Sequence, residues 1–235
     1  MELDDAYANA AHIPGAEAYP GKWTALASEW RAAQTDAELD VPYGAGERQR
    51  YDLFHPEGAA KGVVIFVHGG YWLRFDKSYW SHLAAGAVAQ GWAVAMPAYD
   101  LCPAVRISDI TRQIATAVAA IAGRVSGPIV LAGHSAGGHL VARMLATGLL
   151  PDAVAGRLQR VVPISPVADL RPLLQTSMNA DLRLDRTEAE AESPVLMTDR
   201  HDVPVTVWVG GAERPAFLYQ ARWLAEAWDA ELTIT

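Results

Sequence analysis

The chain of 235 residues is 51% hydrophobic and carries a formal net charge of −8, so it is long and apolar enough for one domain with a substantial core. The acidic balance argues against nucleic acid or an anionic membrane as a partner, because both attract a basic surface. A single cysteine, Cys102, and an acidic N-terminus without a signal-peptide pattern predict a cytoplasmic protein.

The first predicted elements are an amphipathic helix and a strand. Over residues 20–34, Trp23, Leu26 and Trp30 recur at helical spacing. Over residues 47–55, Tyr51 and Leu53 alternate with polar residues, which predicts a strand with one exposed face.

The apolar runs that follow are typical of strands buried on both faces. Val63 to Val67 is a continuous β-branched and aromatic run. Similar runs occupy residues 92–96, 129–131, 161–164 and 203–209, and stripes at helical spacing predict helices over 107–121, 140–145 and 217–228. Strands alternating with helices predict a single α/β domain, 1–235, with a mostly parallel central sheet and helices on both faces.

Residues 166–200 interrupt this alternation. Two short helices, Leu170 to Leu174 and Glu188 to Met197, flank a polar stretch. An insert after a central strand is expected to lie over the strand ends, where function collects in such sheets. We therefore expect a short helical cap at 166–200.

A G-x-S-x-G pattern gives the strongest functional signal. The predicted strand at 129–131 leads into Gly133-His134-Ser135-Ala136-Gly137, and a helical stripe follows. This is the context of a nucleophile elbow, in which small neighbours allow a very tight turn. Ser135 is the predicted nucleophile.

A second motif lies after the first buried strand. Residues 68–72, His-Gly-Gly-Tyr-Trp, form a Gly-rich loop whose amides can turn inward. An oxyanion hole needs one amide after the nucleophile and one from such a loop. The predicted donors are therefore Ala136 and either Gly70 or Tyr71, while the side chain of His68 is expected to brace the loop.

The two motifs together resemble the kynurenine formamidase (arylformamidase) family and its bacterial esterase relatives, whose loop reads H-G-G-x-W. Residues 99–103 and 210–217 are similar to further stretches of that family. The resemblance implies an α/β-hydrolase fold and a serine hydrolase. It also implies that the acid after the 203–209 strand is Glu213, where the family usually has Asp. Asp185, Asp199 and Asp202 are weaker alternatives.

The family order of serine, acid and histidine implies a histidine after Glu213, and none follows. His201 would need a rearranged loop order, and the histidines beside Ser135 are expected to point away from the site. Because the sequence stops inside a predicted strand at 231–234, we expect a truncated chain. Replacement of the base is an alternative. Without a base, kcat should fall by about 10⁴–10⁶.

The sequence thus predicts a serine hydrolase that cleaves a small carboxylic ester or N-formyl amide through an acyl-enzyme. Tyr71 and Trp72 are expected to contact the substrate. No metal or organic cofactor is expected, because neither H-E-x-x-H spacing nor a phosphate-cradling glycine pattern occurs. A general carboxylesterase, a thioesterase and a hydrolase-like binding protein without turnover remain alternatives, and a homodimer stays open.

Overall fold

The fold is built on one sheet. A computed structural model describes residues 3–235. The strands within this range are β1 Ala37–Pro42, β2 Arg50–Phe54, β3 Val63–Val67, β4 Ala93–Pro97, β5 Ile129–His134, β6 Leu158–Ile164, β7 Thr206–Val209 and β8 Glu231–Ile234. Their order is β1-β2-β4-β3-β5-β6-β7-β8. The β1–β2 and β2–β4 pairs are antiparallel and the rest are parallel.

Helices connect these strands. The α-helices are α1 Tyr19–Ala32, α2 Ala85–Ala89, α3 Ile107–Ala122, α4 Ala136–Arg143, α5 Asp152–Ala155, α6 Asn179–Leu182, α7 Arg186–Ala191 and α8 Pro215–Trp228. In the part of the chain that the structure describes, none of the helices is long and apolar enough to cross a membrane.

Both faces of the central sheet pack against other elements. In β3, Val63, Ile65 and Val67 are fully buried in the main core. The alternate residues, Val64 and Phe66, pack instead into a second cluster with Phe54, Val94, Met96, Trp30 and Trp80. Because successive side chains of a strand point to opposite faces, the two clusters lie on opposite sides of the sheet. The predicted mostly parallel sheet, covered on both faces, is confirmed.

The prediction that β2 has an exposed face is wrong. Tyr51 and Leu53 lie in the main core, and Phe54 packs edge-on against Trp30 of α1, with ring centroids 4.7 Å apart. The polar residue between them, Asp52, is also buried, and its carboxylate accepts a hydrogen bond from Lys77 Nζ at 2.6 Å. A buried carboxylate is tolerated because it has this charged partner. The neighbouring strand β1 was not predicted.

The insert at 166–200 consists of short helices joined by irregular segments. It contains α6, α7 and the 3-10 helices Arg171–Gln175 and Pro194–Leu196. The predicted helix at 170–174 is shifted by one residue, and the predicted helix at 188–197 is divided into α7 and a 3-10 helix. Glu188 accepts a hydrogen bond from Arg106 Nε at 2.7 Å, and Glu192 accepts one from Thr111 Oγ1 at 2.7 Å. These contacts fasten the insert to the start of α3, which follows the carboxyl end of β4.

Candidate active site

Ser135 occupies the tight turn between β5 and α4. Its backbone angles are φ 57° and ψ −115°, a left-handed conformation that is strained for a residue with a side chain. The Ser135 amide donates to Ile164 O at 2.8 Å, and its carbonyl accepts from the His139 amide at 3.0 Å. The strand–turn–helix arrangement predicted from G-x-S-x-G is therefore present.

The two glycines of the motif make this turn sterically possible. A Cβ at Gly133 would lie 2.3 Å from Gly137 O, and a Cβ at Gly137 would lie 2.0 Å from Val67 O. Both contacts are with backbone atoms, which cannot rotate away. The elbow is thus pressed against the end of β3, from which the loop 68–72 begins.

Three backbone amides near Ser135 have no hydrogen-bond partner within residues 3–235. They belong to Ala136, at the first residue of α4, and to Gly70 and Tyr71 in the loop. Free amides at a helix N-terminus favour negative charge. The loop lies close to the elbow, because a Cβ at Gly69 would sit 3.1 Å from Ser135 Cβ. All three predicted oxyanion donors are therefore available.

His68 braces the loop, as the sequence predicts. Its ring stacks on Tyr99 with centroids 4.4 Å apart, and its Nδ1 donates to Gly69 O at 2.7 Å. Tyr99 OH in turn donates to His68 O at 2.8 Å. Burial lowers the pKa of His68 to about 4, so the ring is neutral at pH 7. A neutral, stacked imidazole can hold the loop in one conformation.

The two aromatic side chains of the loop have different surroundings. Tyr71 is half-buried, and its OH donates to Tyr7 O at 2.7 Å, which ties the loop to the N-terminal segment. Trp72 is fully buried and packs edge-on against His139. Its ring therefore has no face open to a substrate, because the tertiary packing places it in the core and not in the wall of a pocket.

Glu213 lies in the loop between β7 and α8. Its carboxylate accepts a hydrogen bond from Ser165 Oγ and one from the Gly210 amide at 3.2 Å. Ser165 directly follows β6 and adopts a positive φ of 46°. Since the Ser135 amide is bonded to the preceding residue, Ile164, the strand end Ile164–Ser165 joins the elbow to the acid loop. Ser165 was not predicted from the sequence, although its place at the end of a strand was a usable signal.

Two of the weaker acid candidates, Asp185 and Asp199, are engaged elsewhere. Asp185 caps α7 through the Glu188 amide at 2.9 Å and pairs with Arg106. Asp199 accepts a hydrogen bond from Thr147 Oγ1 at 2.7 Å. Neither contact lies at the ends of β5, β6 and β7, whereas Glu213 is bonded to Ser165 at the end of β6.

No histidine within residues 3–235 hydrogen-bonds to Ser135 Oγ or to Glu213. His134 is exposed and lies beside Gly69 at the rim of an apolar cavity of about 310 Å³. His139 is fully buried and bonded to the backbone of Glu192. His201 donates its amide to Leu145 O, beyond the far end of α4 from Ser135. A base for Ser135 is therefore not supplied by these side chains.

The molecule has the features of an enzyme class, the α/β-hydrolases: the strand order, the strained serine after β5 and the free amides beside it. The α/β hydrolase fold family matches residues 64–226. The chain belongs to the α/β-hydrolase family and is a hydrolase.

Among curated relatives, kynurenine formamidase of Danio rerio is 30% identical over 198 residues, which cover 80% of this chain and 67% of that protein. The Drosophila melanogaster enzyme of the same name is 34% identical over 182 residues, covering 71% of this chain and 57% of that protein. The chain thus spans between about half and two thirds of these relatives.

Among solved structures, a protein from Silicibacter sp. named as a candidate thioesterase has a TM-score of 0.99 and 63% identity, and the match covers this whole chain and 90% of that one. Esterase B of Lactobacillus rhamnosis has a TM-score of 0.71 at 20% identity, over 93% of this chain and 83% of that one. At that identity, the second likeness concerns the fold alone.

Proposed function

We propose that this protein is a serine hydrolase that cleaves a small carboxylic ester or an N-formyl amide of an aryl compound. The observation that carries the proposal is the strained Ser135 between β5 and α4, next to three amides that have no hydrogen-bond partner within residues 3–235. Strain of this kind is retained at functional sites because the surrounding structure enforces it.

In the proposed reaction Ser135 Oγ attacks the substrate carbonyl carbon. A carbon–oxygen bond forms, and the carbonyl electron pair moves to oxygen as an oxyanion. The amide of Ala136 and that of Gly70 or Tyr71 donate hydrogen bonds to this oxyanion, a contribution of about 10²–10³ in rate for each donor. Collapse of the tetrahedral intermediate expels the alcohol or amine, which takes up the proton, and water then releases the acyl group as an acid.

Proton transfer from Ser135 requires a base, which in hydrolases of this type is a histidine oriented by an acid. We assign the acid to Glu213, whose carboxylate is already held by Ser165 and Gly210. No histidine within residues 3–235 is bonded to Glu213. The proposal is therefore tested with and without added imidazole, which can act as the base.

The substrate class rests on the relatives. Proteins named kynurenine formamidase match most of this chain at 30–34% identity, which favours an N-formyl aryl amide such as N-formylkynurenine. The Silicibacter protein named as a candidate thioesterase is 63% identical, which favours an acyl thioester as the second candidate. Both reactions would use the same nucleophile and amides and would differ in the leaving group.

The test is labelling of Ser135 by a fluorophosphonate probe, together with turnover of N-formylkynurenine, p-nitrophenyl acetate and a short acyl thioester. Each reaction is run with and without imidazole, and the rate of Ser135→Ala is subtracted to remove hydrolysis by imidazole itself. We expect labelling and formyl-amide turnover that depend on Ser135.

A folded protein that shows no Ser135-dependent labelling or turnover, even with imidazole, would overturn the proposal and favour a binding protein. Turnover of the ester without turnover of the formyl amide would instead restrict it to a general carboxylesterase. Preference for the thioester would support the second candidate.

A further inference from the structure

Two buried rings meet between the loop 68–72 and α4. Trp72 and His139 are both fully buried, with ring centroids 5.1 Å apart and planes at 84°. Trp72 lies one residue after Tyr71, and His139 lies three residues after Ala136. Each ring therefore belongs to a segment that carries one half of the proposed oxyanion hole.

One ring offers a hydrogen-bond donor and the other an acceptor. His139 Nε2 lies 2.8 Å from Glu192 O; a carbonyl oxygen only accepts, so Nε2 carries the proton. Burial lowers the pKa of His139 to about 3, which keeps the ring neutral and makes Nδ1 an acceptor. Trp72 Nε1 is a donor only. Both nitrogens are buried without a partner among the described residues.

Each ring is anchored to its own segment. The Trp72 carbonyl accepts a hydrogen bond from the Cys102 amide at 2.9 Å, and the His139 amide is bonded to Ser135 O at 3.0 Å. The partner of the His139 ring, Glu192, is itself held by Thr111 at 2.7 Å and by Arg143 Nε at 3.2 Å. Movement of one ring relative to the other would therefore move the loop relative to α4.

We propose that Trp72 and His139 are positioning residues that set the distance between the loop amides and the Ala136 amide, through attraction of the Trp72 N–H to His139 Nδ1. A buried donor without a partner is costly, so an approach of the Trp72 N–H to His139 Nδ1 would stabilise the folded protein. The inference rests on the proposed function, because the spacing of these amides matters only if they bind an oxyanion. It adds two residues that touch neither the substrate nor the nucleophile.

The first test measures kcat and KM for p-nitrophenyl acetate in Trp72→Phe, which removes the N–H, and in His139→Gln, which keeps a donor for Glu192 O but removes the Nδ1 acceptor. Oxyanion contacts are made in the transition state, so we expect kcat to fall about 10–100-fold with KM within about threefold. The double variant should be no slower than the slower single variant.

Trp30→Phe is the matched control, since Trp30 also packs edge-on against a ring, that of Phe54, but in the second cluster. It should keep the kcat of the unmodified protein. A Trp72→Phe protein with unchanged kcat, or one whose loss appears in KM alone, would overturn the inference.

The second test does not depend on turnover. In a ¹H–¹⁵N spectrum, the indole signal that disappears in Trp72→Phe is assigned to Trp72, and it should shift in His139→Gln while the Trp30 signal stays in place. An unmoved Trp72 signal would exclude the pairing. If the signal moves but the unmodified protein shows no Ser135-dependent reaction, the proposed function fails and the positioning role fails with it.

Discussion

The elbow offers a sharp steric prediction at Gly137. Replacement by alanine adds a Cβ 2.0 Å from Val67 O and 2.6 Å from His68 O, where ordinary contact begins at 3.4 Å. Both atoms belong to the backbone of β3 and the loop after it. The clash can be relieved only by moving α4 and the elbow away from that strand end.

The loss of unfolding free energy in Gly137→Ala can be estimated from the rigidity of these backbone atoms. Overpacking of a core costs about 1–3 kcal/mol when side chains can adjust, and backbone atoms adjust least, so we expect Gly137→Ala to lose about 3 kcal/mol of unfolding free energy. For a chain of this size that corresponds to a fall in Tm of about 6–12 °C. Displacement of Ser135 by about 1 Å should also slow fluorophosphonate labelling by about 10²-fold.

Urea unfolding, thermal unfolding and labelling kinetics would measure these effects. Gly21→Ala is the control, because Gly21 lies in α1 with no atom within 4 Å of an added Cβ. It should be neutral or stabilising by up to about 1 kcal/mol, since alanine is the better helix former. A Gly137→Ala protein as stable and as reactive as the unmodified chain would refute the steric account of the elbow.

Two further predictions concern the loop. Tyr71→Phe removes the hydroxyl that donates to Tyr7 O at 2.7 Å, so it should cost about 1 kcal/mol of stability. It should leave labelling within about threefold, because in the proposed oxyanion hole Tyr71 contributes only its amide. A 100-fold loss of labelling would contradict that proposed role. Burial lowers the pKa of His68 from 6.5 to about 4. Between these two pH values the unfolded chain binds a proton that the folded chain does not. The free energy of unfolding therefore falls as the pH falls, by about 1.4 kcal/mol per pH unit. Urea titrations should give a shallower pH slope for His68→Asn, and an equal slope would count against the buried neutral ring.

Local patterns predicted much of the architecture. The buried runs became β3 to β7 and the stripes at helical spacing became α3, α4 and α8, because period and burial are properties of short segments. The glycines around Ser135 predicted the elbow for the same reason, since a tight turn needs small residues at fixed spacing. The loop 68–72 was placed correctly because a Gly-rich turn follows directly from the strand before it.

Residues distant in sequence decided the rest. The alternation in β2 indicated an exposed face, but α1 covers that face and Lys77 pairs with Asp52. The aromatic character of Trp72 suggested a substrate contact, whereas its packing on His139 places it in the core.

The contact of Ser165 with Glu213 joins residues 48 positions apart, which no local pattern encodes. The sequence by itself determined the tight turn at Ser135 and the loop that faces it, since each is a short segment whose conformation its own glycines permit. Only the tertiary structure decided which side chains hold these segments in register, because that choice is made by contacts between elements distant in sequence.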